Sequence, residues 1–433
     1  MAITLNNGQE NAAKRMVMWY TLEEKKKYFS IAGSAGTGKS TMLSYAIHML
    51  GLDIYKDVCY GTPTGKAALV LNRKGIPAST IHKLIYRAEE YKEPVLDENK
   101  NPKKDKDGNV IFTTKIRFIK RLFLEGDYKL IVIDEGSMVT QKIWEDLLSF
   151  GIRIVILSDQ KQLPPVGSKV IDPVLNPDVI LTEIMRQGKD SDILVAAQRA
   201  SEGLLFKNEL SKFNTQPIIS YKNKEVHFIT HDLVNERMLL QADMILCSKN
   251  VTREKINNYM RRLKGFNDPL PQKGDKLICR RNNWAEMLPT NNDIALINGL
   301  TGFVTDHIDK ETIEKGVFKM NFRPDFIDND EFRDIEVNYH LFSNTSPKNP
   351  KKKLTSEERQ HLMNFGPGNK FEYGYAITTH LSQGSEADNV ILVVEWMGDF
   401  DTMCKSIYTA ITRAKKRLFI VRLLPNMIPF YER

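Results

Sequence analysis

Cysteine is scarce: four residues in 433, at positions 59, 247, 279 and 404. None forms a C-x-x-C pair, so the sequence offers neither a zinc-ligand cluster nor a disulfide framework. Long apolar runs are missing too. None approaches the roughly 18 residues that a membrane-spanning helix needs. The opening MAITLNNGQENAAKR lacks the apolar core of a signal peptide. A cytosolic protein without a membrane anchor is expected. No internal repeat is visible. What remains is an ordinary globular composition, 42% hydrophobic and 27% charged, in a chain long enough for roughly two to four domains. A net charge of +8 and a pI near 9.0 suit a polyanionic partner such as nucleic acid. Many proteins without such a partner are as basic, so charge alone does not decide.

Short apolar runs rich in β-branched residues occur at 28–32, 58–62, 130–133, 152–157, 244–247, 390–395 and 418–423. Apolar at successive positions, they read as strands buried on both faces. Helical or loop segments separate most of them, which predicts an α/β fold with parallel sheets. The runs fall into one group before about residue 190 and one after it, so two sheets are expected.

Two stretches depart from this pattern. Within 86–115, a strand-like VL and a strand-like VIFTT flank a charged turn containing Asp-Gly. This reads as a β-hairpin projecting from the first lobe, with a surface loop as the other reading. Within 275–355, DKLICRR, NGLTGFV and VFKMNF read as short antiparallel strands joined by Gly and Asn turns, as in a small β-barrel. Its tail, SNTSPKNPKKKLTSEE, reads as a mobile linker.

Gly33-Ser34-Ala35-Gly36-Thr37-Gly38-Lys39-Ser40 matches the pattern G-x-x-x-x-G-K-[ST] in full, with a strand before it and helical spacing after it. Such a loop wraps phosphates with its amides at a helix N-terminus. Lys39 is expected to reach the β- and γ-phosphates of ATP, and Ser40 to supply a hydroxyl to Mg²⁺. Leu130–Ile133 leads into Asp134 and Glu135. A strand of this kind is expected beside the phosphate loop, its Asp holding Mg²⁺. Side-chain alternation sends the two acids apart, so Glu135 is free to polarise the attacking water.

Taken together, the motifs resemble those of superfamily 1 helicases of the RecD-like and Dda-like branch, which moves 5′ to 3′. The resemblance runs from Gln9 to about Val421. Gly8-Gln9 resembles the motif whose Gln reads adenine. Thr62-Pro63-Thr64-Gly65-Lys66-Ala67-Ala68 resembles motif Ia, and Ser79-Thr80-Ile81-His82 motif Ib. Asp134-Glu135-Gly136-Ser137-Met138 resembles motif II, and Asp159-Gln160-Lys161-Gln162-Leu163-Pro164-Pro165-Val166 motif III. Leu181-Thr182-Glu183-Ile184-Met185-Arg186-Gln187 resembles motif IV. Thr378-Thr379-His380-Leu381-Ser382-Gln383-Gly384-Ser385-Glu386 resembles motif V, and Tyr408-Thr409-Ala410-Ile411-Thr412-Arg413-Ala414 motif VI. Ser158 stands where Gly commonly precedes motif III. Leu381 stands where a cation is common in motif V, which removes a possible phosphate contact.

The resemblance implies two RecA-like lobes. The first spans 1–85 and 116–190, with a pin hairpin at 86–115. The second spans 191–274 and 356–433, with an SH3-like β-barrel at 275–355. It implies catalytic roles for Lys39, Glu135, Gln162, Arg186 and Arg413. The nucleotide would meet Gln9, the loop from Gly33 through Ser40 with Thr41, and Gly384 and Glu386. Mg²⁺ would meet Ser40 and Asp134. Single-stranded DNA would cross Pro63, Thr64, Thr80, His82, Thr379 and His380. Stacking aromatics are not legible; Trp284 and Phe303 are candidates. The expected activity is an ATP-dependent DNA helicase acting on tailed duplexes in replication, recombination or repair. It would be monomeric, with single-strand-binding or replication proteins as possible partners, in a bacterial host's cytoplasm if phage-encoded. The alternative is a translocase that remodels nucleoprotein without unwinding. The opposite-polarity branch usually carries larger insertions than this chain has room for.

Overall fold

A strand that is apolar at every position must have both faces of its sheet covered. The computed structural model describes residues 5–22, 25–94, 101–102, 108–110, 112–165, 167–183, 191–205, 218–289, 291–347, 349–423 and 428–432. Every one of the apolar runs above lies in one of two six-stranded sheets.

The first sheet contains β1 (Tyr28–Gly33), β2 (Val58–Thr62), β3 (Ala78–Thr80), β6 (Leu130–Ile133), β7 (Arg153–Ser158) and β8 (Val179–Leu181). Their order is β3-β2-β6-β7-β1-β8, parallel throughout. One face buries Ile31, Val132 and Val155 against the helices Asn7–Thr21 and Lys39–Met49. The other buries Ile133, Ile154 and Ile156 with Trp144 and Leu147 of the helix Gln141–Leu148. Each buried Ile, Leu or Val stabilises the layer by about 1.5–3 kcal/mol relative to exposure.

Between β3 and β6 the chain leaves the sheet as an antiparallel ribbon. β4 (Tyr86–Pro94) pairs with β5 (Phe112–Lys120) from Tyr86↔Lys120 to Pro94↔Phe112. The ribbon is rooted earlier and longer than the VL and VIFTT segments suggest. Most of the turn between its strands lies outside the described residues.

The second sheet has β9 (Ile218–Ser220), β10 (Val226–Thr230), β11 (Met244–Cys247), β21 (Ala376–Thr378), β22 (Ala387–Val394) and β23 (Ala414–Arg422). The order is β21-β11-β22-β23-β10-β9, with only β9 antiparallel. Between β11 and β21 lies an antiparallel module. It consists of β12 (Lys276–Cys279), β13 (Asn283–Leu288), β14 (Asn291–Leu296), β15 (Thr301–Val304), β16 (Val317–Pro324), β17 (Phe332–Asn338), β18 (Thr345–Ser346), β19 (Asn349–Lys353) and β20 (Phe371–Tyr373). Five of these form one sheet, β17-β16-β15-β12-β20, around Phe318, Phe322, Phe332 and Phe371.

The module extends past residue 355, because β20 closes its edge. The expected mobile linker is also corrected. Within it, β18 pairs with β19, and Thr355 with Glu358 forms a reciprocal capping box that starts the helix Ser356–Phe365.

Charged contacts fasten this module to lobe two. Glu372 on β20 meets Arg253 of the helix Asn250–Leu263 at 2.6 Å, Arg359 at 3.0 Å and Arg280 at 3.4 Å. Burial alone would raise the Glu372 carboxyl, but Arg253, Arg280 and Arg359 outweigh it and hold it below its ordinary value. Arg261 on the same helix pairs with the fully buried Asp275 at 3.0 Å, and Tyr375 donates to that carboxylate at 2.9 Å.

Towards lobe one the module presents apolar surface. Leu69 of the helix Gly65–Arg73 joins the module's core, and Ile297 lies so close to Gly65 that a Cβ there would meet it at 2.5 Å. Among the described residues no helix is long and apolar enough to cross a membrane.

Candidate active site between the two lobes

Parallel strands present their C-terminal ends on one side of each sheet, and the residues that follow them build the site. From β1 the chain enters the loop Gly33 to Ser40. Gly36 and Gly38 take φ values of 82° and 75°, which residues with a Cβ resist. Gly38 is the N-cap of the helix Lys39–Met49. This turn allows backbone amides to converge on an anion at a helix start. Lys39 folds over its own loop, donating to the carbonyls of Gly33 at 2.6 Å and Ser34 at 3.2 Å. The side chains of Ser40 and Thr41, in the first helical turn, are exposed.

Asp134 and Glu135 follow β6, but β6 is not the neighbour of β1. β7 lies between them, because its run Ile154–Leu157 is buried on both faces and takes a central position. Ser158 and Asp159 therefore stand directly between the phosphate loop and the two acids. Asp134 accepts from the Glu135 amide at 2.9 Å through one oxygen. Glu135 adopts φ 54° and ψ 41°, a left-handed conformation rare for a residue with a Cβ. Burial raises both carboxyls. Glu135 is raised further by Asp134 beside it, against the pull of Arg413 and Lys39.

Lobe two supplies the opposite wall. Arg413, 5% exposed, donates through Nε to Thr409 O at 3.0 Å, through Nη1 to Ser385 O at 3.1 Å and through Nη2 to Thr412 Oγ1 at 3.0 Å. A guanidinium has five N–H donors, so this anchoring leaves N–H groups over on both terminal nitrogens. The Tyr408 hydroxyl accepts from Ala35 N at 3.2 Å and donates to Asp159 at 2.6 Å. Leu163 in motif III donates its N–H to Thr409 Oγ1 at 2.9 Å, and its carbonyl accepts from Gln383 Nε2 at 3.0 Å.

Gln162 is buried beside it, and its Oε1 has no partner among the described residues. The hydroxyls of Ser137, Ser158 and Ser385 are likewise buried without a partner among those residues. Buried polar atoms are normally paired. Gln162, Ser137 and Ser158 thus leave polar atoms unpaired by protein close to the two acids and motif III.

Three expected nucleotide contacts look different in the structure. The Gln9 amide is engaged at both ends by protein, accepting from Asn6 N at 3.1 Å and donating to Thr37 O at 2.9 Å. It braces the phosphate loop. Gly384 packs on motif Ia instead, where a Cβ would meet Ala67 at 3.0 Å and Thr64 at 3.2 Å. Glu386 lines a cavity of about 620 Å³ with Lys66, Lys276 and Asp325, which contains no phosphate-loop residue. Phe303 faces the same cavity, with Lys276 over its ring. Arg186 lies outside the described residues.

The expected DNA contacts line the lobes' other edges. Thr64, after β2, and Thr80, the last residue of β3, cap the helices Gly65–Arg73 and Ile81–Ile85, each accepting a backbone N–H at 3.2 Å. Thr64 is partly exposed beside Pro63, whereas Thr80 is buried at 4% exposure. Thr379 is 1% exposed and donates to Cys247 O at 3.4 Å, so its side chain is internal too. His82 and His380 are half-buried, and burial lowers the proton affinity of both imidazoles.

His82 also reveals an aromatic group that was not legible in the sequence. Its ring lies 5.4 Å from Tyr86 and 6.0 Å from Phe118 at the root of the ribbon. Phe118 is 54% exposed. Period-two alternation along β5 was the available signal, but it does not say which face is outward.

Residues 4–219 match the family model of an AAA domain, and residues 373–421 that of a UvrD-like helicase C-terminal domain. The ATP-dependent DNA helicase Dda of Enterobacteria phage T4 is 30% identical over 37% of this chain and 33% of its own length. The chain belongs to the superfamily 1 helicases of the RecD-like and Dda-like branch. An uncharacterised protein of Acanthamoeba polyphaga mimivirus is 25% identical over 95% of this chain and 99% of its own. The structure of Pif1 helicase from Bacteroides, in complex with ADP-AlF3 and ssDNA, superposes with a TM-score of 0.52 at 19% identity. It covers 100% of this chain and 94% of that one, a likeness of fold. The two parallel sheets form a RecA-like core that resembles that of the Pif1 helicases.

Proposed function

We propose that this protein is an ATP-dependent DNA helicase that moves 5′ to 3′ on single-stranded DNA and opens a tailed duplex. The observation that carries the reading is the composite site. Lys39, Asp134 and Glu135 come from lobe one, while Arg413 reaches the same cleft from lobe two, and Leu163 of lobe one is held by Thr409 and Gln383 of lobe two. A site built across two lobes couples nucleotide state to lobe separation.

ATP would lie on the phosphate loop, with Lys39 and Arg413 offsetting charge on the γ-phosphate and Glu135 orienting water. Mg²⁺ fits Ser40 and Asp134. The Ser40 side chain is exposed, and Asp134 has one oxygen held by the Glu135 amide and one left over. No cluster of three potential ligands occurs among the described residues. That suits a cation held mainly by phosphate and water. Arg186 is assigned to the same clamp.

The single strand would cross Pro63, Thr64, Thr80, His82 and His380, held through phosphates and read without sequence preference. Phe118, exposed beside His82, would stack on a base. The ribbon at 86–115 is assigned as the separating pin, and the module at 275–355 as an SH3-like barrel inserted in the second RecA-like lobe. A monomer acting in replication, recombination or repair, alone or with single-strand-binding proteins, is consistent with this assignment.

The competing reading is a translocase that remodels nucleoprotein without unwinding. The ribbon, with Phe112 and Phe118 exposed on it, favours strand separation. Unwinding of duplexes carrying either a 5′ or a 3′ single-stranded tail tests the proposal. Preference for the 5′ tail is expected. Unwinding from the 3′ tail alone would reverse the polarity, and ATP-driven movement without unwinding of either would select the translocase.

A further inference from the structure

Tyr408 carries a hydroxyl that its packing does not require. The ring belongs to the apolar core of lobe two, with Phe228, Ile407 and Ile411. A phenylalanine would fill that space. The hydroxyl instead leaves the core and crosses to lobe one, where it meets the phosphate loop and motif III. It accepts the Ala35 N–H of the phosphate loop at 3.2 Å and donates to Asp159 Oδ2 at 2.6 Å.

Asp159 is 3% exposed. Its other oxygen accepts the Lys161 amide at 3.1 Å, so the phenol is the donor for Oδ2. A buried carboxylate oxygen deprived of its donor is strongly disfavoured. Burial raises the proton affinity of the Tyr408 phenol, which keeps it a donor. Asp159 in turn stands between the phosphate loop and Glu135, close enough for its charge to act on the Glu135 carboxyl.

We propose that Tyr408 is a positioning residue for nucleotide hydrolysis. Its hydroxyl ties the phosphate loop to Asp159 across the lobe interface, so that the alignment of both is completed only when lobe two closes. This rests on the ATPase reading above. The next residue, Thr409, holds Leu163, so separation of the lobes would release the phosphate loop and motif III in one movement.

The test is Tyr408→Phe in the full chain, which removes one oxygen and leaves the ring. ATP turnover is measured with saturating poly(dT), well below each variant's melting temperature, so that lowered stability cannot imitate a kinetic effect. We expect kcat to fall about tenfold or more, as for loss of a hydrogen bond to a charged group, with KM for ATP within about twofold of wild type. The effect should be non-additive with Asp159→Asn, because the hydroxyl acts through that carboxylate.

A kcat within about twofold of wild type overturns the proposal. So does a loss that multiplies with that of Asp159→Asn, or a rise in KM alone. Wild-type turnover that ignores single-stranded DNA would instead sink the functional reading itself, and is measured first in the same assay.

Discussion

The backbone N–H of Leu163 in lobe one donates to the hydroxyl of Thr409 in lobe two at 2.9 Å. The other end of the same residue accepts from Gln383 at 3.0 Å. Motif III is thus held by motifs V and VI through main-chain atoms, which no side-chain change at Leu163 can imitate. Thr409→Val keeps the shape and leaves a buried N–H unpaired. Turnover on single-stranded DNA is expected to fall about tenfold. Steady-state ATPase assays check this, and an unchanged kcat would show that the contact does not limit closure.

Glu135→Gln is expected to bind ATP and DNA while hydrolysing about 10²-fold more slowly, since the amide cannot accept a proton. It should also melt higher than wild type at pH 8. Burial and Asp134 raise the Glu135 carboxyl above its ordinary value. Below the ordinary carboxylate range it is protonated folded and unfolded. As pH rises through the raised folded value, ionisation in the buried site lowers stability. Glutamine has no such loss, so the difference in Tm should shrink towards pH 4. Melting curves across pH decide it; a lower Tm for the variant at pH 8 would contradict the assigned burial.

Burial lowers the imidazole proton affinity of His82 and His380, so both are neutral at pH 7. Neutral contacts release no counterions. Replacing both with alanine should weaken DNA binding without changing the slope of log K against log salt. A slope shallower by one or more would mean that they bind phosphate as cations.

Glu372→Gln would leave Arg253, Arg280 and Arg359 facing one another without their shared acid. Breaking a buried pair costs about 3–5 kcal/mol. The Glu372 carboxyl is held below its ordinary value, so its contribution is present above that ordinary value and is lost as pH falls through the depressed one. The Tm gap between variant and wild type should be widest near neutrality and close below about pH 4. An equal Tm at pH 7 would refute the fastening.

Replacing 97–109 with a short Gly-Ser turn should spare DNA-stimulated ATPase and reduce unwinding of a 5′-tailed duplex. The ribbon is a separate two-stranded sheet, paired along its length from Tyr86 to Pro94, and its described strands touch no nucleotide-site residue. Equal loss of both activities would make the segment a support for lobe one; full retention of unwinding would make it idle.

The buried strands were legible because runs such as Leu130–Ile133 have no polar face to expose. β3, β8, β9 and β21 were not, since three residues are too few to display a period, and β10 was not because His227 interrupts its apolar run. Strand order is set by tertiary packing, so nothing in the sequence placed β7 between Asp134 and the phosphate loop. The loop itself was legible because phosphate wrapping fixes both glycine positions and the lysine. The hydroxyl contacts of Tyr408 and Thr409 and the inward turn of Thr379 depend on which neighbours arrive from elsewhere in the chain. The polar tail at 343–358 resembled a linker by composition, yet the Thr355–Glu358 capping box was present in it and specifies a helix start.

The two sides of the β-module differ in kind. Directional, charged bonds at Glu372 and Asp275 join it to lobe two. Towards lobe one it meets Leu69 and sets Ile297 on Gly65, and Lys66 and Arg73 reach across to donate to Thr301 Oγ1 and Phe326 O. Apolar contact is non-directional and tolerates sliding, and Lys and Arg stems can follow a displacement of a few ångströms. The module is thus held by buried ion pairs on one side, and by apolar contact with two hydrogen bonds from long side chains on the other. Whatever rotation a single nucleotide imposes at Arg413 would be carried outward as by a lever, and the largest excursion would fall at the module's far rim.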